Sequence, residues 1–150
     1  MPETETREPH NENPEVVLAR WQDRLKILVH KVKVWVEKAG WRTRTIEKPM
    51  NDRNLGRHTV PVLLMEKDTV EVALNPVSPL VSGAEGAVDL HLVPAYDDIA
   101  SLYFEGGQWV IHYAFPADPL KIHSVIETEA LPLSEETIIR VLNAIVSHAS

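Results

Sequence analysis

The sequence predicts an α+β fold. A long N-terminal helix and a C-terminal helix lie on one face of a mainly antiparallel, five- to six-stranded meander sheet. Three observations predict it: an apolar stripe at helical spacing from Leu18 to Ala39, a switch to period-two alternation after Gly40, and a return to helical spacing at Ile138. The 150 residues suit one domain, and 44% apolar with 25% charged residues is close to the globular average.

Residues 1–13, "MPETETREPHNEN", are polar, acidic and aperiodic, and are expected to be a disordered tail ahead of a single domain over 14–150. They contain no apolar core segment, so neither a signal nor a transit peptide is expected. Asn13, Pro14 and Glu15 form a helix start: an N-cap, a proline whose missing N–H does no harm in the first turn, and a carboxylate at the positive end of the dipole. Leu18, Trp21, Leu25, Leu28, Val32, Trp35 and Ala39 then recur at alternating spacings of three and four, and Gly40 supplies the stop. Ile27, Val34 and the neighbouring valines widen the apolar surface. The helix Pro14–Ala39 should therefore keep area for a partner after covering the sheet, although a well-buried core helix would look similar.

After Gly40, "WRTRTIEK" alternates as a first strand. "HTVPVLLMEKDTVEVALNP" reads as a hairpin turning at Lys67-Asp68, with Met65 opposite Val70, Leu63 opposite Val72 and Pro61 opposite Leu74. Pro61 cannot donate to a ladder, which places it on an edge or beside a bulge. "NPVSPLVSGAEGA" is rich in turn formers and is expected to be a loop. The stretch 116–133 is compatible with a strand, a short helix or a covering loop. Ser134 caps the last helix, Glu135 and Glu136 occupy its first turn, Leu133 and Ile138 form a staple across the cap, and Ile138, Val141, Leu142, Ile145 and Ala149 form its core face.

The most patterned stretch is Val88–Phe115, "VDLHLVPAYDDIASLYFEGGQWVIHYAF". Gly106-Gly107 is a two-residue turn that pairs Phe104 with Trp109, Leu102 with Ile111 and Ala100 with Tyr113. Joining the preceding strand places Leu92, Leu90 and Val88 beside Ala100, Leu102 and Phe104, so one face is apolar throughout. The opposite face collects His91, Ser101 and His112 in one row, with Asp89 and Tyr103 in the next. These five are the ligand-binding candidates, since His and Asp can ligate metals and a Ser between histidines has the residue types of a nucleophilic triad. Against a metal, His91 and His112 would stand about 9–10 Å apart on alternate strands at the usual ~4.8 Å spacing. Against acyl transfer, a mid-strand serine lacks a strained elbow and an oxyanion hole. An ordinary half-solvated sheet face accounts for the same residues. Asp97-Asp98 reads more simply as turn-capping carboxylates than as a catalytic pair.

Composition narrows the function classes. Cysteine is absent, which excludes disulfides and thiolate chemistry and fits a cytoplasmic location. No apolar run approaches membrane-spanning length. Nucleotide-binding and hydrolase signatures (a Walker loop, GxGxxG, HExxH, GxSxG) are missing, and no cofactor or resident metal is expected. The net charge of −7 is unevenly spread, with twelve Lys/Arg against five Asp/Glu over residues 20–67 and the reverse excess beyond. A basic nucleic-acid surface over 20–67 is thus conceivable, but internal complementation between basic and acidic halves explains the asymmetry more simply. The predicted layout resembles small bacterial adaptor and secretion-chaperone folds, which are interaction modules. The leading expectation is a non-enzymatic adaptor that binds a protein partner or itself, as a homodimer, using Trp21, Ile27, Val34, Trp35 and Pro61. A ligand-binding or hydrolytic sheet face and a nucleic-acid surface are the alternatives.

Overall fold

The structure, a computed structural model, describes residues 13–80, 83–96, 98–115 and 127–149. Residues 1–12 of the expected tail 1–13, residues 81–82 of the expected loop, Asp97, the stretch 116–126 and Ser150 lie outside the described residues. Helix α1 spans Pro14–Lys38. Asn13 caps it, its Oδ1 accepting the Glu15 N–H at 2.8 Å, and Gly40 leaves it at φ 97°. Trp21, Leu25, Leu28 and Val32 are buried as the stripe predicts, but further along Val29 and Val36 take over from Trp35 and Ala39. The cause is geometric. A three-four repeat averages 3.5 residues per turn, so on a straight helix it drifts by about 20° per heptad and carries Trp35 to the margin of the core.

Seven strands follow, one more than the upper count expected: β1 Arg42–Asp52, β2 Gly56–Lys67, β3 Val70–Ser78, β4 Ala87–Val93, β5 Ala100–Glu105, β6 Gln108–Phe115 and β7 Glu127–Pro132. They form one antiparallel sheet in chain order, with β1 and β7 at its edges. The extra strand is β7, from the stretch whose type the sequence left open. Strand β3 also runs on through Asn75-Pro76-Val77-Ser78, which turn chemistry assigned to a loop; the ladder to β4 shifts register between Pro76 and Ser78 to accommodate it.

Two registers differ from expectation, each by two residues. The β2–β3 hairpin turns at Asp68-Thr69, pairing Met65 with Val72 and Leu63 with Leu74. Asp68 takes the left-handed conformation at φ 56°, which a short polar side chain tolerates and which lets the turn close one residue later. Between β4 and β5, Leu90 pairs with Ala100 and Val88 with Leu102. The β5–β6 hairpin pairs as predicted, with Gly106 and Gly107 at φ 59° and 81°. Because side chains alternate with period two, a two-residue slip leaves every side chain on its face. The apolar rows Leu63–Leu74–Leu90–Ala100 and Val88–Leu102–Ile111–Leu131 therefore form intact.

Pro61 pairs with Glu47 on β1, but the β2–β3 ladder ends at Leu63, so β2 is an edge toward β3 where the proline sits. Helix α2, Glu135–Ala149, closes the fold. Ser134 and Thr137 cap it reciprocally: the Thr137 N–H donates to Ser134 Oγ at 3.2 Å and the Ser134 N–H to Thr137 Oγ1 at 2.8 Å. Ile138, Val141, Leu142 and Ile145 join α1 and the apolar sheet rows in one core, while Ala149, predicted for that face, is exposed one turn past the last buried residue.

Candidate functional site

The sheet face away from the core carries the predicted polar residues, in a changed order. The β4–β5 register aligns Asn75, Asp89, Ser101 and His112 in one row, with Tyr103 beside Ala87 in the next. His91 pairs with Ala73 on β3, one step outside the row in which the sequence placed it, and Asp89 takes its place. The same two-residue slip of β4 that spared the core is responsible.

His91 is only 7% exposed although it faces away from the helices. Tyr96, from the β4–β5 connection, stands edge-on to its ring at 4.2 Å between centroids, and the Tyr96 hydroxyl donates to Asp89 Oδ2. His91 Nδ1 lies 2.8 Å from the Leu92 carbonyl, and its Nε2 lies 3.3 Å from Asn75 Nδ2. Lys48, reaching over from β1, fixes the direction of this chain: its ammonium donates to Asn75 Oδ1 and to the Pro76 carbonyl, both at 2.6 Å. With Asn75 Oδ1 so occupied, the amide turns its N–H toward His91. Ser101 Oγ donates to Asp89 Oδ1 at 3.4 Å. Burial pushes the Asp89 carboxyl up from the usual carboxylate range; the neighbouring His91, the Ser101 hydroxyl and Lys48 offset this in part. Burial likewise lowers the Lys48 ammonium, with Asp89 opposing.

His112 stands apart from this network. Its ring packs edge-on to Tyr103 at 5.3 Å, and its buried Nε2 has no hydrogen-bond partner, with Glu105 Oε2 at 4.0 Å. The structure thus joins Asp89 and Ser101 directly and His91 through Tyr96, while Tyr103 and His112 form a separate pair. Among the described residues no group of three His, Asp or Glu side chains is arranged to hold a metal ion. A His–Asp contact elsewhere went unread in the sequence. Asp98, at φ 51°, accepts the Tyr113 hydroxyl at 3.0 Å and lies 2.9 Å from His148 Nδ1, tying β6 and α2 to the β4–β5 connection. Burial, then the Asp98 hydrogen bond and charge, push the Tyr113 hydroxyl well above the ordinary tyrosine range.

The other candidate surface is a groove of about 580 Å³ between α1 and the β5–β6 hairpin. Leu28, Phe104, Trp109 and Leu133 provide its apolar lining, and Ile27 and Trp35 border it. Arg24 forms part of the wall. Its guanidinium lies 3.8 Å over the Phe104 ring, donates to the Glu85 carbonyl at 3.0 Å and pairs with the Glu85 carboxylate at 3.7 Å. Burial lowers the Arg24 pKa, Glu85 opposes this, and Arg20 adds to it. The sequence assigned Phe104 and Trp109 wholly to the core. They are half-buried because the apolar sheet face extends past the area that the helices cover. Of the expected interaction residues, Ile27 and Val34 keep 58% and 45% of their surface in solvent, and Trp35 borders the groove. Trp21 does not belong to a surface: at 1% exposure it is a core residue. Pro61 is half-buried in β2.

Three ion pairs join the basic stretch 20–67 to the acidic part of the chain, Arg24 with Glu85, Lys38 with Glu135 and Arg44 with Glu71, and a fourth, Arg42 with Glu66, lies within the basic stretch. Among the described residues, no helix is long and apolar enough to cross a membrane. Comparison of the chain with models of known families, with curated proteins and with solved structures returns no match.

Proposed function

We propose that this chain is a non-enzymatic cytoplasmic protein-interaction module whose binding surface is the groove between α1 and the β5–β6 hairpin. The observation that carries the reading is the apolar lining of that groove beside an Ile27 that remains 58% exposed. Contiguous apolar surface left open to water, rimmed by charge, marks contact sites more often than isolated exposed residues do. The polar cluster around Asp89 is read as structural, since its groups are hydrogen-bonded to one another. A photo-crosslinking residue at position 27 of the full chain, compared with one at the likewise exposed Ile46 on β1, tests the proposal in cells of the source organism. A discrete adduct at position 27 and none at 46 is expected. Equal labelling at both, or none, overturns it.

A second reading, small-ligand binding at Lys48, Asp89 and Ser101, is favoured by the burial that drives Lys48 and Asp89 toward their neutral forms. It predicts a thermal shift with some small polar compound that disappears in Asp89→Asn. A screen without such a compound counts against it.

A further inference from the structure

We infer that the groove takes an amphipathic helical segment of a partner protein, carrying acidic side chains along the flank that meets Arg20, Arg24 and Lys31. This deepens the reading of the groove as the binding surface and rests on it. The first argument is length. From Arg20 to Trp35, α1 borders the groove for about 22 Å at 1.5 Å per residue, the length of roughly four helical turns. The second is chemistry across the groove. Ile27, Trp109 and Leu133 present apolar surface to the groove, suited to a row of apolar side chains recurring at helical spacing.

The third argument is charge, and it selects among occupants. At about 100° per residue, Arg20, Arg24 and Lys31 fall within roughly 40° of one another around α1. They make one stripe about 16 Å long; Asp23 is the one acidic residue lining the groove among those described, and the Glu85 carboxylate pairs with Arg24 at its wall. A single anionic headgroup would satisfy one end of such a stripe. Carboxylates spaced along a helix match its whole length. Arg24 is already held over Phe104 and against Glu85, so contact with it orders little that is not ordered beforehand. The overall charge of −7 opposes an acidic partner only at long range, because salt screens it beyond about 8 Å at physiological ionic strength.

The test uses the full chain and three fluorescein-labelled peptides of about sixteen residues, enough for four helical turns. One has leucines at helical spacing flanked by glutamates, one has lysines in place of the glutamates, and one is a scrambled acidic control. Fluorescence anisotropy at low salt is expected to show the acidic amphipathic peptide binding at least about tenfold tighter than the other two. The double reversal Arg20→Glu/Lys31→Glu should weaken it by about tenfold, and Ile27→Asp should weaken both amphipathic peptides, with circular dichroism confirming the fold of each variant. If acidic and basic amphipathic peptides bind equally and Ile27→Asp releases both, the acidic partner is refuted while the groove stands. If no peptide responds to Ile27→Asp, both readings fall. If light scattering gives a dimer that Ile27→Asp converts to monomer, the occupant is a second copy and the acidic helix is refuted.

Discussion

Gly86 offers the sharpest test of how the sheet and α1 meet. It stands just ahead of β4 at φ 156°, and its carbonyl accepts the Phe104 N–H at 3.0 Å. A Cβ built there would lie 3.1 Å from Trp21 Cζ3 and 3.5 Å from Trp109 Cη2. Trp21 is fully buried and has no room to retreat. In Gly86→Ala, a backbone conformation reserved largely for glycine costs about 1–3 kcal/mol. Overpacking against the indole adds about 1–3 kcal/mol. The lower entropy of the unfolded chain returns about 0.4–1 kcal/mol. The net loss is about 1–5.6 kcal/mol, and its middle value of about 3 kcal/mol corresponds to a fall of roughly 6–12 °C in Tm for a chain of this length. Gly83→Ala is the internal reference. Gly83 also has positive φ, at 83°, but nothing lies within 4 Å of its Cβ position, so only a backbone term of about 1–2 kcal/mol applies. Thermal and urea unfolding of both variants, together with Gly86→Ala in a Trp21→Phe background, isolate the contact. Equal losses for the two alanine variants, or no relief from Trp21→Phe, would refute the packing described at this position.

Tyr113→Phe removes a hydroxyl shared by both Asp98 carboxylate oxygens, and is expected to cost about 1.5–3 kcal/mol in urea unfolding; a loss below about 0.5 kcal/mol would sink that assignment. Leu102→Ala, fully buried between Val88 and Ile111, should cost about 2–5 kcal/mol, whereas Val34→Ala on the solvent side of α1 should stay within about 0.5 kcal/mol. Because burial raises the Asp89 pKa in the folded chain, the fold binds that proton more tightly than the unfolded chain does. Its contribution to stability therefore grows as pH falls from neutrality through the raised folded value, and is complete below the unfolded value of about 3.9. Asp89→Asn should remove this rise from a plot of Tm against pH, and an unchanged slope would show that Asp89 is not its source.

Face assignment was legible in the sequence and exact pairing was not, for one physical reason. Apolar alternation along Leu63–Met65, Val72–Leu74 and Val88–Leu92 specifies parity, and parity is indifferent to a slip of two. Turn residues must then set the register. Gly106-Gly107 did so, whereas Lys67-Asp68-Thr69 offered two closures and the connection after Val93 offered several. With that slip Asp89, and not His91, stands beside Ser101, so the polar face holds the expected residues while the row has a different member. Strand β7, "ETEALP", has a single large apolar residue in six and gives almost no alternation to read. The groove was invisible for another reason: Phe104 and Trp109 have core character, and only the reach of the helices decides how much of such a face stays open.

The order of strands along the sheet is also their order along the chain, so each of the six pairings joins consecutive segments. Such a sheet can zip up from any hairpin, with little entropy spent on closing loops. The meeting of α1 with α2, including Lys38 with Glu135 at 3.2 Å, is different, because it spans nearly the whole polypeptide. The hairpins should accordingly gather early and the two helices should lock late, which makes that helix pair the natural place for a slow final step in refolding.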